Sequence, residues 1–231
     1  MRDGAVVLHG VTKSFPVQDG GTLDVLDVPH VSIPAGGLTA LTGRSGSGKT
    51  TLLNLIAGIS LPTSGTVTVA GTDVAALPEA QRDRFRARHL GYVFQTFNLL
   101  AALSALENVM LAMMFSDAVP RAAQRRRAAD VLGRLGLGAR LSHRPPHLSR
   151  GEQQRVAIAR AVANDPELIL ADEPCASLDA HTARTVLEEF LAVCREGRKT
   201  LLMVTHEALA LSAADHVVDI ADVNRVAVAT P

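Results

Sequence analysis

The eight-residue loop GRSGSGKT, from Gly43 to Thr50, brings together residue types that hold phosphate. It matches the pattern G-x-x-x-x-G-K-[ST] and lies between a predicted strand, LTALTG, and a predicted helix, KTTLLNLIAG, which disfavours an accidental match by a flexible Gly/Ser turn. Glycines let backbone N–H groups converge on an anion, Lys49 supplies a full charge, and the Thr50 hydroxyl can ligate Mg²⁺. The loop therefore predicts a site for a nucleoside triphosphate, contacted by Gly43, Arg44, Ser45, Gly46, Ser47, Gly48, Lys49, Thr50 and Thr51.

A second segment supplies acidic groups for hydrolysis. In LILADE an apolar predicted strand ends in Asp172 and Glu173. Phosphoryl transfer needs a metal ion and a group that aims water. Asp172 would hold Mg²⁺ through its water shell, and Glu173 would orient or deprotonate the attacking water. Alone, such a strand end is usually a solvated one, but downstream of a phosphate loop it indicates hydrolysis of the bound nucleotide.

Composition limits the classes of function. The chain has 231 residues with 23 Lys+Arg and 23 Asp+Glu, so no strong overall field attracts nucleic acid or an anionic membrane. Any anion site must therefore be local. The cysteines, Cys175 and Cys194, have no metal-type spacing and are predicted to be reduced thiols of a cytosolic protein. The start, MRDGAVVLHG, has only a short apolar run, so export is not expected.

One longer apolar segment runs from Leu99 to Phe115. Glu107 and Asn108 split it, and each half is far shorter than the roughly 20 residues that a membrane span needs. The segment is predicted to be either buried by packing within the protein or turned toward a partner, and both interpretations stay open at this point.

Alternating strand and helix patterns predict an α/β fold. The β-rich pieces up to Ile33 and the segment PTSGTVTVAGTDV indicate a small antiparallel sheet near the N-terminus. From Pro78 to about Leu141 the pattern becomes helical, which indicates a helical insertion, and GEQQRVAIARAVA has the apolar circumference of a buried helix. The segments LTALTG, ELILADE and TLLMVTHE are the predicted strands of a parallel sheet wrapped on both faces by helices.

The segment LSRGEQQR lies just upstream of LILADE, and this combination resembles the ATP-binding cassette (ABC) family. The resemblance covers nearly the whole chain and rests on seven motifs in family order: Phe15 in TKSFP, the phosphate loop, Gln95 in VFQTFNLL, the signature from Leu148 to Glu152, LILADE, SLD from Ser177 to Asp179, and His206 in VTHE. Within the family, LGYVFQTFNLLAALSALENVML is most similar to ATPases of the lipoprotein-release and macrolide-exporter type, which also include cell-division regulators.

This resemblance implies a P-loop NTPase fold. Residues 1–231 would form a single nucleotide-binding domain, with a helical subdomain at about 78–165 that carries the signature. Phe15 would stack on adenine, Gln95 would contact Mg²⁺ or the attacking water, and His206 would hold the γ-phosphate and Glu173. Without the motifs, the phenylalanine would be an ordinary core residue, the glutamine a surface residue and the histidine a silent loop residue.

The signature segment implies a second copy of the chain. In this family the signature serine and second glycine reach the γ-phosphate across a dimer, so the resemblance implies nucleotide contacts from Ser149, Gly151, Glu152 and Asp179. The segment departs from the commonest pattern at Arg150, where glycine is usual, and at Glu152, where glutamine is common. The larger side chain of Arg150 is expected to affect how tightly the two copies close on each other. Ser149-x-x-Glu152 is also a capping box for the next helix, and both interpretations can hold because a capped helix N-terminus attracts anions.

Two further features depart from the family pattern. Cys175 stands where threonine is frequent and is predicted to be a buried, inert thiol. The C-terminal DIADVNRVAVATP lacks the glycine-containing turn that is usual after the last strands. The resemblance is therefore not extended beyond about Ile220.

The leading hypothesis is an ATP-hydrolysing subunit of an ABC transporter, cytoplasmic and peripheral on the inner face of the cell membrane. Two copies would enclose two ATP and Mg²⁺ and drive an integral membrane permease. A regulatory ATPase that signals through a membrane partner has the same chemistry and stays as an alternative. A DNA-associated ABC ATPase is less favoured, because the chain has no long coiled-coil insertion and no zinc spacing. No nucleic-acid partner is predicted, and a solvated helix face explains Arg82, Arg84, Arg86 and Arg88.

Overall fold

The computed structural model describes residues 4–17 and 20–226. The chain divides into two compact units, the first made of residues 1–82 and 202–231 and the second of residues 83–201. Two sequence predictions fall partly outside the described residues: the absence of a signal peptide involves residues 1–3, and the end of the family resemblance involves residues 227–231.

Strands and helices alternate along the chain. The strands are β1 (Val6–Pro16), β2 (Thr22–Ile33), β3 (Gly37–Thr42), β4 (Ser64–Val69), β5 (Thr72–Asp73), β6 (Leu90–Val93), β7 (Leu168–Asp172), β8 (Thr200–Val204) and β9 (His216–Asp219). The helices are α1 (Lys49–Ile56), α2 (Glu79–His89), α3 (Ala105–Met114), α4 (Arg121–Arg134), α5 (Arg150–Val162), α6 (Ala180–Glu196), α7 (Ala208–Ala213) and α8 (Ile220–Val223), with 3₁₀ turns at Gly138–Arg140 and Pro145–His147. The predicted α/β class is confirmed.

The first unit contains the antiparallel sheet predicted from the N-terminal sequence. Its strand order is β2-β1-β4-β5. Leu8 in β1 pairs with Val31 on one side and Val67 on the other, and its side chain is fully buried. His9, the next residue, is exposed. Because successive side chains of a strand point to opposite faces, one face of this sheet packs into a core and the other meets solvent.

The first unit also holds the strand, loop and helix expected from the phosphate-loop pattern. Strand β3 pairs in parallel with β9, and Leu41 lies opposite Val218. The other neighbour of β3 is β8, and residues 202–204 of β8 belong to the first unit. Helix α1 follows the loop directly. It ends just before Gly58, which has φ 64° and faces Arg82 so closely that a Cβ would lie 2.7 Å from Arg82 Cδ. Glycine is the residue that fits this helix stop.

The second unit is built on β6 and β7, which run parallel with Val93 opposite Ala171. All five residues of β7 are buried. Helices α3, α4 and α5 pack against one another, and α5 buries most of its circumference, as predicted for GEQQRVAIARAVA. Helix α6 packs on α5 and buries one apolar side that includes Phe190. Together these contacts give the second unit its own core.

Strand β6 interrupts the stretch that was predicted to be helical from Pro78 to Leu141. Its four residues, LGYV, are too few to show a strand period beside the longer helical patterns. A Cβ on Gly91 would lie 2.4 Å from the carbonyl oxygen of Ala161, so the backbone of β6 lies directly against α5. The remainder of the stretch forms α2, α3 and α4, in agreement with the helical prediction.

The apolar segment from Leu99 to Phe115 is partly buried and partly exposed. Asn108, one of the polar residues that split it, is fully buried: its amide donates to three carbonyl oxygens, including that of Leu100, and accepts the Leu100 N–H. Large apolar side chains reach solvent at Leu100, Met114 and Phe115, which are 50%, 64% and 70% exposed. No helix within residues 4–17 and 20–226 combines the length and hydropathy that a bilayer crossing requires.

Two smaller predictions also hold. Cys175 and Cys194 are buried and form no disulfide, and burial raises the pKa of the Cys194 thiol to about 12. The arginine-rich helix α2 has no buried residue, and Arg86 pairs with Asp83 at 2.5 Å, as expected for a solvated helix face.

Candidate functional site

The phosphate loop of the first unit depends on glycine at both of its ends. Gly43 has φ 133°, and a Cβ there would lie 2.3 Å from Cγ2 of Ile220. Gly48 has φ 94° and is the N-cap of α1; a Cβ on it would lie 2.8 Å from Cδ2 of Leu26. Both positions combine a backbone conformation that other residues rarely adopt with a close neighbour. The sequence pattern therefore reflects a tightly packed loop.

Lys49 places a cation at this loop although it is only 6% exposed. Its ammonium donates to the carbonyl oxygens of Gly43 and Arg44, each at 2.7 Å. Helix α1 starts without a side-chain cap and has no acidic residue in its first turn. A buried cation beside an uncapped helix N-terminus forms an environment that suits an anion, and phosphate satisfies both groups.

The loop is tied to β2 by Asn224, a residue that the sequence analysis missed. Asn224 is 8% exposed. Its amide nitrogen donates to the carbonyl oxygens of Ser47, at 3.3 Å, and Val25, at 3.0 Å. Its amide oxygen accepts the Asp27 N–H at 2.8 Å. The Asn224 side chain thus joins the phosphate loop to two residues of β2. No sequence signal pointed to this role, because Asn224 lies beyond Ile220, the limit of the family resemblance, and belongs to no motif.

Replacing Asn224 with alanine is expected to weaken ATP binding roughly tenfold, because small shifts of a binding loop carry large penalties. The loss of its hydrogen bonds should also lower the free energy of unfolding by about 2 kcal/mol. Fluorescence titration with an ATP analogue and thermal unfolding measure the two effects. The matched control is Asn164→Ala, which removes a buried amide that donates to the carbonyl oxygens of Ala87 and Ala112 in the second unit. It should lower stability and keep ATP affinity; an unchanged affinity in Asn224→Ala would contradict the assignment.

Three predicted residues of the second unit gather where β6 and β7 end. The register that sets Val93 opposite Ala171 brings Gln95 level with Glu173, and the Gln95 amide nitrogen donates to Oε2 of Glu173 at 3.5 Å. Asp172 is the last residue of β7 and is 6% exposed. The carboxyl ends of neighbouring parallel strands are the usual place for a ligand in such sheets.

The backbone and surroundings of these acids are unusual. Glu173 has φ 43°, a left-handed conformation that non-glycine residues rarely adopt and that is frequent at functional sites. Burial, together with the negative charge of Asp172, raises the pKa of Tyr92 above its ordinary value. The Tyr92 ring stacks on Phe94 with centroids 4.1 Å apart. The neutral phenol of Tyr92 therefore lies near the carboxylate of Asp172, and the ring of Phe94 packs on Tyr92.

The predicted capping box at the start of α5 is confirmed. The Ser149 hydroxyl accepts the Glu152 N–H at 3.2 Å, and the Glu152 carboxylate accepts the Ser149 N–H at 2.8 Å. These hydrogen bonds, led by the Ser149 N–H and helped by the positive charge of Arg140, hold the pKa of Glu152 below its usual range. Gly151 has no room for a side chain, since a Cβ would lie 2.5 Å from Cγ2 of Thr182. The signature helix thus starts against the first turn of α6.

The neighbouring SLD segment also caps a helix. Asp179 is the N-cap of α6, and its carboxylate accepts the Thr182 N–H at 3.0 Å. That hydrogen bond lowers the pKa of Asp179. Arg150, the residue that departs from the signature pattern, donates to the carbonyl oxygen of Ser177 at 3.3 Å. Arg150 therefore bonds the signature helix to the SLD segment.

Two predicted residues lie elsewhere in the first unit. Phe15 is 39% exposed near the end of β1, with the Lys13 ammonium 4.7 Å from its ring centroid, so it is not an ordinary core phenylalanine. His206 is exposed and follows β8 by two residues. The Thr205 N–H donates to the carbonyl oxygen of Leu41 at 3.3 Å, which places His206 at the end of β3 from which the phosphate loop starts.

Residues 26–176 match the profile of the family described as ABC transporter. The chain belongs to this ABC transporter family. The lipoprotein-releasing system ATP-binding protein LolD of Novosphingobium aromaticivorans is 47% identical over 91% of this chain and 94% of its own length. The macrolide export ATP-binding/permease protein MacB of Rhodopirellula baltica is 44% identical over 94% of this chain, which spans 32% of that protein. A solved dimer of the ATP-binding cassette MJ0796 with ADP and Pi is 35% identical, with a TM-score of 0.84 over 93% of each chain.

As an ABC transporter ATPase, this chain binds ATP and hydrolyses it to drive transport. The resemblance seen in the sequence motifs is confirmed, including the likeness to the LolD and MacB group. The roles of individual side chains stay predictions.

Proposed function

We propose that this ABC ATPase pairs with a second copy of itself around two ATP molecules and Mg²⁺, and that the cycle of closing and reopening drives an integral membrane permease. The observation that carries the proposal is the phosphate loop: a buried Lys49 ammonium stands beside the uncapped start of α1. The two units together would act as the single nucleotide-binding domain predicted from the sequence, with a helical subdomain at about 78–165.

Nucleotide binding is assigned to the first unit in this proposal. Backbone N–H groups of the loop and the Lys49 ammonium bind the β- and γ-phosphates. Phe15 offers an exposed ring on which adenine stacks. His206, at the loop end of its strand, is assigned to the γ-phosphate.

The predicted Mg²⁺ ligands fit that ion by their chemistry. Thr50, Asp172 and Gln95 offer a hydroxyl, a carboxylate and an amide, which supply the oxygen donors that Mg²⁺ prefers, and the Asp172 carboxylate is almost buried. When bound, the ion neutralises charge on the β- and γ-phosphate oxygens. Gln95 and Glu173 already contact each other. Glu173 accepts a proton from the attacking water or orients it, and Gln95 positions that carboxylate.

The second copy completes the site. In this proposal Ser149 and Gly151 of one copy reach the γ-phosphate held by the other, and Asp179 and Glu152 act at the same interface. The capping box is compatible with this role, because the Ser149 hydroxyl accepts the Glu152 N–H and can turn its own proton from the Glu152 carboxylate toward a phosphate. The MJ0796 cassette has been solved as a dimer with ADP and Pi, which supports the arrangement by similarity.

A membrane permease is the proposed partner of the exposed apolar side chains at Leu100, Met114 and Phe115. The relatives named LolD and MacB belong to a lipoprotein-releasing system and to macrolide export. We place this chain in the same group, at the cytoplasmic face of the cell membrane. In this proposal the cargo would contact the permease instead of this chain.

Capture of the permease tests the proposal. The tagged protein, purified from detergent-solubilised membranes of its own cells, should bring down an integral membrane protein. Phe115→Glu should abolish that capture and keep basal ATPase activity, because Phe115 is 70% exposed and its replacement costs little folding energy. Val217→Glu, at an exposed apolar residue of the first unit, is the matched control and should keep the partner. Equal capture by both variants would refute the assigned surface.

A further inference from the structure

Two histidines face each other on the exposed side of the antiparallel sheet. His9 in β1 and His30 in β2 are direct register partners, and both are exposed. Their Nδ1 atoms are 3.3 Å apart, and the rings are tilted by 39° with centroids 4.4 Å apart. Neither residue belongs to the ATP site proposed above.

We propose that His9 and His30 form a two-histidine site for a divalent transition-metal ion such as Zn²⁺, bound through both Nδ1 atoms. Two Zn–N bonds of about 2.05 Å that meet at about the tetrahedral angle hold their nitrogens roughly 3.3 Å apart. The separation of the two Nδ1 atoms, 3.3 Å, matches that spacing. Imidazole nitrogen selects Zn²⁺, Ni²⁺ or Cu²⁺ over Mg²⁺ and Ca²⁺.

Binding requires a change of tautomer in one ring only. The short contact between the Nδ1 atoms needs one of them to carry a hydrogen, whereas two metal bonds need a lone pair on each. A neutral imidazole can move that proton to Nε2, which solvent satisfies at an exposed position. Metal binding therefore replaces one histidine–histidine hydrogen bond with two coordinate bonds.

The strands hold the backbone of the two histidines in place. Leu8 and Val31, the register pair next to the histidines, are buried, so the backbone on which the histidines stand is anchored in the core. Such anchoring lowers the ordering cost that a chelate site otherwise carries. Within the described residues no group of three or more His, Cys, Asp and Glu side chains is placed to hold a metal. The site thus has two protein ligands, and water fills the remaining positions.

Zn²⁺ titration of the full chain tests the site, with heat of binding and the midpoint of thermal unfolding as readouts. The wild-type protein should bind a single Zn²⁺ at this site and unfold several degrees higher, because an ion that binds only the folded state stabilises it. A chelator should reverse the shift. His9→Asn and His30→Asn should each weaken binding by at least roughly tenfold, since even the loss of an outer-shell partner costs about that much.

The control is His216→Asn, which removes an exposed strand histidine whose register partner is Thr39. It should bind Zn²⁺ as the wild type does. The metal-free unfolding midpoints of all variants show whether each one folds. The proposal is overturned if folded His9→Asn and His30→Asn keep the Zn²⁺-dependent shift, or if the wild type shows none. ATPase activity does not enter either readout, so the outcome is independent of the proposed function.

Discussion

Lys49→Ala should lose at least about 100-fold in ATP affinity and, with it, measurable ATPase activity at ordinary ATP concentrations. Hydrogen bonds to a charged group are worth about 1.5–3 kcal/mol each, and the Lys49 ammonium is proposed to reach both the β- and the γ-phosphate. The Lys49 side chain is 6% exposed and its ammonium is held by the carbonyl oxygens of Gly43 and Arg44, so its position at the loop is fixed. Equilibrium binding of a fluorescent ATP analogue measures the loss directly.

Lys199→Ala provides the comparison. Lys199 is also largely covered, with 13% of its side chain exposed, but it pairs with Asp165 in the second unit at 2.9 Å. Its removal should lower the unfolding midpoint and keep ATP affinity. The assignment of the phosphate loop fails if Lys49→Ala binds ATP as tightly as the wild type while Lys199→Ala behaves as expected.

The site was predictable from the sequence where a short stretch carries both the chemistry and its geometry. GRSGSGKT contains the glycines whose positive φ and close neighbours the structure shows at Gly43 and Gly48. LILADE contains a strand and the acids at its end. Ser149-x-x-Glu152 contains both partners of the capping box. In each case the interacting groups are within a few residues, so local rules of backbone geometry are sufficient to place them.

Contacts between distant segments were not predictable in this way. Asn224 bonds Ser47 and Val25, more than a hundred residues away in sequence, and nothing local distinguishes it from another polar residue in the C-terminal tail. The approach of Gln95 to Glu173 depends on the parallel register of β6 and β7. Strand β6 itself was missed because four residues are fewer than a period can reveal. Long-range pairing determines these features, and a single sequence without homologues does not report it.

The two interpretations of the signature segment are joined in the structure. The Glu152 carboxylate accepts the Ser149 N–H at 2.8 Å and forms an ion pair with Arg140 at 3.1 Å. These two interactions compensate much of its negative charge within the chain. The helix N-terminus therefore keeps its attraction for an incoming phosphate, which an uncompensated carboxylate would oppose. Arg150 adds a positive group nearby and bonds to Ser177. The capping box of Ser149 and Glu152 thus orders the signature segment, through which the proposed dimer contacts the γ-phosphate.

Glu173→Gln should bind ATP with unchanged affinity, hydrolyse it roughly 10²–10⁴ times more slowly, and accumulate as an ATP-bound dimer. Glutamine keeps the size of the side chain and its contact with Gln95 but does not accept a proton from water. The left-handed backbone at φ 43° costs glutamine no more than glutamate, so the loop should keep its shape. Because hydrolysis reopens the proposed dimer, blocking the chemical step should trap the closed form, which light scattering with and without ATP detects.

Glu167→Gln tests whether the effect depends on position. Glu167 immediately precedes β7, is exposed and faces His89, so the same change of charge occurs at the opposite end of the strand. This variant should hydrolyse ATP at the normal rate and stay monomeric once its ATP is consumed. Normal turnover in Glu173→Gln would remove Glu173 from the reaction. Slow turnover with a monomer that persists at high protein concentration would instead leave the water-activating role intact and refute the dimer, so the two parts of the mechanism are separable.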